Sequence, residues 1–298
     1  MTAEDARDAQ TVGRLLDDLA RELAGRGIGE PVSEAREIIA ALHDVPRFWP
    51  LLNGSVAVER DMGARARAAA GMRARGAPLA YAVGRASFRH LTLDVDERVL
   101  IPRPETEHLV DLILDEVGDE PGGVAIDVGT GSGAIALSLA AEGPFSRVYG
   151  TDISLGAVAV AVKNARLCAA MLRAPVHVLH GSLLQPLLDV RARVVVSNPP
   201  YIAFGEAQSL PAAVRDWEPA VALFSGSDGM AVTQRLIGEA ATVLAAGGLF
   251  AIEVDVRRAS IAAELVSRER RFHAVRVELD LTGRERFVLA RRQERDRG

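Results

Sequence analysis

The stretch from Ala125 to Gly133, Ala-Ile-Asp-Val-Gly-Thr-Gly-Ser-Gly, constrains this chain more than any other. Its apolar start reads as a short buried strand, and the glycines that follow permit a turn tight enough for a helix to begin at once. The same alternation continues downstream. Strands are expected at 124–128, 148–151, 176–180, 193–197 and 248–254, with helices over 133–142, 155–170 and 231–245. An antiparallel pair at about 272–278 and 286–291 closes the series. Strands that alternate with helices predict an α/β domain around a mostly parallel sheet covered on both faces.

The first part of the chain is of another kind. Leucines at 15, 16, 19 and 23 repeat at helical spacing from Thr11 to Ala24, and Gly25 and Gly27 end that helix. A second helix is predicted over Ser33 to His43, capped by Ser33, and a third, rich in Ala and Arg, over Val56 to Arg75. Residues 1–75 therefore read as a small helical domain, 76–103 as a connector and 104–298 as the α/β domain. Within the connector, Phe88, Leu91, Leu93 and Val95 alternate with polar residues. Asp96-Glu97 is expected to turn that strand into Val99 to Ile101, making a hairpin. Pro102-Arg103-Pro104-Glu105-Thr106 follows as a rigid segment, which suits a pocket edge and a plain connector equally.

With 298 residues, 49% of them apolar, the chain can bury two cores. No apolar run reaches membrane-spanning length, and the acidic start (Glu4, Asp5, Asp8) is unlike a signal peptide, so a soluble cytoplasmic protein is expected. The single cysteine, Cys168, offers neither an internal disulfide nor a metal cluster and reads as a core residue; no metal is expected. A net charge of −5 argues against a nucleic-acid footprint over the whole protein. Arg65, Arg67, Arg73, Arg75, Arg85 and Arg89 nevertheless gather in one stretch. They read first as a solvated helix face in a chain whose only lysine is Lys163, and second as a docking surface for a macromolecule. The arginine-rich tail after Ala290 is expected to fray.

Two motifs carry chemistry. The glycine loop places free backbone amides at a helix start, and Asp152 ends the next strand where a carboxylate can accept both hydroxyls of a ribose. Together they predict a nucleoside site formed by Gly129, Thr130, Gly131, Ser132, Gly133 and Asp152. Gly129, Gly131 and Ala134 also satisfy a relaxed dinucleotide fingerprint. Asp127, however, stands where a pyrophosphate would approach, and its carboxylate better suits the cationic amino group of S-adenosylmethionine. The second motif follows the strand Val194-Val195-Val196-Ser197: Asn198-Pro199-Pro200-Tyr201. The Asn198 oxygen and the Pro199 carbonyl can accept both N–H groups of a planar nitrogen, proline adds no competing donor, and Tyr201 can stack on the group. Such a clamp aims a weakly nucleophilic nitrogen at a methyl donor, so these four residues are expected to bind substrate and carry catalysis, with Asn198 also touching the donor. Methylation of a nucleobase amine fits the same clamp, and a donor-binding module without catalysis is the non-enzymatic reading.

Together these residues resemble the peptide chain release factor N(5)-glutamine methyltransferases. The resemblance spans nearly the whole chain: the helical start, Gly76 to Tyr81 with Gly84 and Phe88, Ile101 to Glu107, Asp127 to Gly133, Ser197 to Ile202, Glu218-Pro219, Asp228-Gly229 and Asp280 to Arg286. It implies a class I S-adenosylmethionine-dependent methyltransferase, a Rossmann-like fold with a mostly parallel seven-stranded sheet and a small N-terminal helical domain that binds the partner. It also implies methylation of the glutamine in the Gly-Gly-Gln motif of class-1 release factors. A monomer without direct nucleic-acid contact is expected. Leu183 falls where the family often has an aromatic against the adenine. Two positions depart from the family pattern: Gly181-Ser182 replaces Gly-Asp or Ser-Asp, and Asp255 replaces a glycine.

Overall fold

The computed structural model describes residues 10–294. Glu4, Asp5 and Asp8 therefore lie outside the described residues, as does the end of the arginine-rich tail. In chain order the helices and strands are α1 (Val12–Gly25), α2 (Pro31–His43), α3 (Trp49–Leu52), α4 (Arg60–Ala74), α5 (Leu79–Val83), β1 (Arg85–Phe88), β2 (Leu91–Asp94), α6 (Pro104–Val117), β3 (Val124–Val128), α7 (Ala134–Glu142), β4 (Arg147–Asp152) and α8 (Leu155–Leu167). There follow β5 (Val176–His180), β6 (Ala192–Ser197), α9 (Ala212–Arg215), α10 (Ala220–Leu223), α11 (Ala231–Val243), β7 (Leu244–Glu253), α12 (Ala259–Arg268), β8 (Phe272–Leu279) and β9 (Glu285–Arg292). The chain divides into two compact units, the first ending at Arg85 and taking in Pro211–Trp217, the second comprising the remainder.

In the helical unit the leucine stripe of α1 does what its spacing predicts. Leu15, Leu19 and Leu23 are fully buried among Ile38, Ile39 and Leu42 of α2 and Ala66, Ala69 and Ala70 of α4. Thr11 accepts the Arg14 amide and caps α1. Ser33 does not cap α2: that helix starts at Pro31, whose fixed φ and missing N–H suit a first turn. Ser33 sits inside the turn and accepts from Arg36 instead. Arg65, Arg67 and Arg75 are exposed, but Arg73 forms a bidentate pair with Glu34 at 2.5 and 2.6 Å, so the arginine stretch is not one uniform solvated face.

The second unit holds a seven-stranded sheet of order β5-β4-β3-β6-β7-β9-β8, parallel except for the pairings of β9 with β7 and β8. Val194, Val195 and Val196 are fully buried because both faces of β6 are covered. Val194 and Val196 enter one apolar cluster with Leu109 and Ile113 of α6, and Val195 enters the other with Leu236 and Ile237 of α11. Cys168 lies in the first of these clusters.

Several elements differ from the sequence reading. The hairpin turns at Arg89-His90, not at Asp96-Glu97, and pairs β1 with β2. Arg89 takes a positive φ of 52° and is held there by Glu107 through its amide and guanidinium, and by Glu142 through a bidentate pair. Residues 99–101 form no strand. Helix α12 fills a stretch that periodicity left unassigned, and β7 begins at Leu244, ahead of a register shift opposite Ala192 and Val194. At the C-terminus, Arg291 and Arg292 belong to β9, and Arg291 pairs with Glu116, so the fraying expected after Ala290 does not begin there.

Candidate active site

Strands β3 and β6 are neighbours, with Val128 opposite Ser197, while β4 lies on the other side of β3. The chain thus leaves β3 in one direction across the sheet and returns on the other side, which opens a crevice at the carboxyl ends of the strands. The Ser197 hydroxyl donates to the Val128 carbonyl at 2.6 Å and ties the two strand ends together. A cavity at this point is walled by Val128–Ser132, Thr151–Ser154, Ser182, Leu183 and Ser197–Pro200, with Pro102, Arg103 and Thr106 closing one side.

One end of the cavity is made of backbone. Gly129, Gly131 and Gly133 take φ of 73°, 54° and 86°, which side chains rarely adopt. A Cβ on Gly129 or Gly131 would meet no protein atom within 4 Å, whereas on Gly133 it would come within 3.2 Å of Leu137. The first two therefore leave space at the wall, and the third lets α7 pack. Asp152 fixes the loop, accepting the Gly131 amide at 2.9 Å and the Ser154 amide at 2.8 Å on different oxygens. Burial pushes its carboxyl above the usual range, and those backbone donors pull against the shift. Each oxygen keeps a second lone-pair direction for a hydroxyl. The amides of Gly129, Thr130, Gly131 and Gly133 are taken by Thr151, Asp152 and Thr130, so these four are not the free donors the sequence suggested. An adenosine finds instead open glycine backbone for close approach and a carboxylate for the ribose. Leu183 lies on the same wall with a φ of 50°, and Ser182 beside it accepts from Arg235 at 3.3 Å.

The other end is made of side chains from distant parts of the sequence. The Asn198 amide nitrogen donates to the Thr106 hydroxyl at 3.1 Å, and that hydroxyl donates to Glu253 at 2.7 Å. Arg286 donates to the second Glu253 oxygen at 3.0 Å. Glu253 is fully buried at the end of β7, where desolvation raises its carboxyl while Thr106 and Arg286 lower it. Arg103 pairs with Glu218 at 2.6 Å, and Glu218, buried in turn, is raised by desolvation. The loop after β6 is held by hydrogen bonds from Ile202 to Leu223 and from Ser225 back to Ile202. Gly229, at φ 80°, lies so close to the Tyr201 carbonyl that a Cβ there would come within 2.3 Å of it.

Of the residues singled out from sequence, Gly129, Thr130, Gly131, Ser132, Asp152, Leu183, Asn198, Pro199 and Pro200 share the cavity wall. Asp127, Gly133 and Tyr201 do not line it. Asp127 sits behind the loop, where one oxygen accepts the Thr130 hydroxyl at 2.6 Å and the Ala136 amide at 3.1 Å, and burial pushes its carboxyl up to about 7. Tyr201 is largely enclosed near Glu253, Arg286 and Asp255, with burial raising its phenol. Asp255 is turned to Arg257 at 2.7 Å and does not narrow the cavity. The Pro102 to Thr106 segment is a pocket edge, as one of its two sequence readings had it, but the contact of Thr106 with Asn198 was not foreseen, and sequence reasoning missed the roles of Glu253 and Arg286. A carboxylate ending the apolar run Leu249-Phe250-Ala251-Ile252 was a signal for Glu253, since an acid at the end of a buried strand needs partners.

The switch-point crevice, the glycine cradle with Asp152 and the polar end at Asn198 define a class I S-adenosylmethionine-dependent methyltransferase. Residues 106–214 match the methyltransferase small domain, and residues 14–84 match the PrmC N-terminal domain. The chain is 37% identical to a release factor glutamine methyltransferase of Moorella thermoacetica, over 95% of this chain and 99% of that one. It is 38% identical to one of Deinococcus radiodurans, over 93% and 97%. Among solved structures it is similar in fold to the hMettl16 catalytic domain bound to an RNA hairpin, with a TM-score of 0.56, 16% identity and coverage of 82% and 84%. A methyltransferase of Pyrococcus furiosus gives a TM-score of 0.51, 18% identity and coverage of 69% and 90%. The chain belongs to the release factor glutamine methyltransferase family.

Proposed function

We infer that this protein methylates the side-chain amide of the glutamine in the Gly-Gly-Gln motif of class-1 peptide chain release factors. The observation that carries the reading is the Asn198 carboxamide on the cavity wall, its nitrogen engaged by Thr106, at the strand end next to the glycine cradle. Full-length relatives bearing that name support the substrate.

When bound, S-adenosylmethionine supplies an electrophilic methyl group. Gly129, Gly131 and Asp152 would hold it, with Thr130 and Ser132 on the same wall and Leu183 against its base. Asp127 acts from behind through Thr130, and Gly133 through the packing of α7. Asn198 and the Pro199 carbonyl accept the two N–H groups of the amide, which turns its lone pair toward the methyl group. Pro200 keeps the loop rigid, and Tyr201 supports it from the enclosed side. The nitrogen becomes acidic as its new bond to carbon forms and gives its proton to water, so no strong base is needed; positioning supplies most of the rate. We assign the helical N-terminal domain, residues 1–75, to gripping the release factor away from its glutamine, with 76–103 as connector and 104–298 as the catalytic domain. Among the described residues no helix is long and apolar enough to cross a membrane. We place the protein in the cytoplasm as a monomer, acting on a protein without direct nucleic-acid contact.

Incubation with methyl-labelled S-adenosylmethionine tests this reading, using a release factor, its Gln→Ala version and a mixed DNA and RNA oligonucleotide pool as acceptors. Label is expected in the unaltered release factor alone. Label in the Gln→Ala version or in the nucleic acid would overturn the assignment.

A further inference from the structure

The chain Arg286–Glu253–Thr106–Asn198, buried at Glu253 and Thr106, has one hydrogen-bond direction. Arg286 can only donate, so it engages one Glu253 oxygen at 3.0 Å. The Thr106 hydroxyl has one proton and gives it to the other Glu253 oxygen at 2.7 Å. What Thr106 offers Asn198 at 3.1 Å is therefore a lone pair, and only the amide nitrogen of Asn198 can use it. Were the carboxamide turned over, its oxygen would face the Thr106 oxygen with no proton between them. Thr106 is 5% exposed and Glu253 0%, so water has little room to repair that mismatch.

We propose that Thr106, Glu253 and Arg286 are positioning residues that lock the Asn198 carboxamide with its oxygen toward the acceptor, and so select a group that brings N–H donors, a primary amide rather than a carboxylate. The inference rests on the glutamine reading and adds how this chain enforces it. A turned Asn198 would present N–H groups to the substrate, hold the glutamine by its oxygen and leave the nitrogen misdirected. Thr106 can play this part because Pro104 sets the start of α6 and brings Thr106 into its first turn, at the edge of the cavity.

The test compares Thr106→Val, which keeps the shape and removes the hydroxyl, with Thr106→Ser, which restores it. Methyl transfer to the release factor is measured at saturation, cofactor affinity by calorimetry, and binding of a Gln→Glu release factor by competition. Thr106→Val is expected to lower kcat about tenfold, the scale of one buried hydrogen bond, with cofactor affinity within about twofold. It should also tighten binding of the Gln→Glu protein relative to the unaltered one, and Thr106→Ser should reverse both effects. In an Asn198→Ala background, Thr106→Val should cost less than about twofold, since nothing remains to orient. An undiminished penalty in that background, or no rescue by serine, would overturn the relay. If Thr106→Val fails to bind cofactor at all, Thr106→Cys keeps the volume, weakens both hydrogen bonds and is read against the same outcomes. Failure of the unmodified protein to methylate the release factor would instead defeat the substrate assignment.

Discussion

The two ends of the cavity solve opposite problems by opposite means. The end proposed for the donor is backbone: glycines at positive φ leave space, and Asp152 pins the loop through amide hydrogen bonds. The end proposed for the acceptor is side chain: Asn198 is held by a chain of hydrogen bonds through Thr106, Glu253 and Arg286, contributed by different elements of the sheet unit. The first should fail when side-chain bulk is added and the second when a polar atom is removed. A ligand common to many enzymes can be met by a local loop, whereas choosing a particular nitrogen takes groups that only the folded sheet brings together.

The sharpest separation comes from Asn198→Ala. Removal of a group that acts on the reacting amide should lower kcat by about 10²- to 10³-fold and cost far less in cofactor affinity by calorimetry; equal losses in both would erase the distinction between the ends. Asp152→Ala should do the reverse, weakening the cofactor by about 10- to 100-fold through loss of charge-assisted hydrogen bonds. Turnover at saturating cofactor should change only a few-fold, and unaltered cofactor affinity would remove Asp152 from the donor site. Gly131→Ala puts bulk into the wall and a side chain at φ 54°, for a cost of about 1–2 kcal/mol in thermal or denaturant unfolding. It should also weaken the cofactor several-fold, and wild-type affinity would mean that the cradle does not touch it.

The smallest effect concerns Asp127, which belongs to neither wall. Its carboxyl is raised by burial from about 3.8 to about 7 in the folded protein. Between those values the folded state holds a proton that the unfolded chain has released, so stability falls as pH rises through that window. Asp127→Asn keeps an acceptor for Thr130 and should flatten that slope in melting curves between pH 4 and 8. A slope unchanged by the substitution would assign it to other groups.

The donor end was legible because it is local. A strand, a glycine turn and an acid at the next strand end lie between Ala125 and Asp152, and each is written in residue type. Asn198 to Pro200 was legible for the same reason, two prolines stopping a buried strand. Asp127 was read as facing the cofactor's amino group, since the alternation of a strand tells that a side chain is buried but not that one of its oxygens turns behind the loop to Thr130 and Ala136. Thr106 was legible as part of a pocket edge but not as a partner of Asn198, and Glu253 and Arg286 escaped notice because their meaning arises from strand order: only with β7 beside β6 does Glu253 come to lie near Asn198. The hairpin was shifted because a period-two pattern does not reveal that Arg89, anchored by Glu107 and Glu142, is the turn.

One measurement bears most directly on the acceptor end and on the whole account. A release factor treated with the protein and S-adenosylmethionine is digested, and the peptide bearing Gly-Gly-Gln is fragmented by mass spectrometry. A clamp with two acceptors for two N–H groups predicts one methyl group, on the glutamine side-chain nitrogen, with no second methylation once one N–H has been replaced. Methyl on another residue, or two on the same nitrogen, would contradict it.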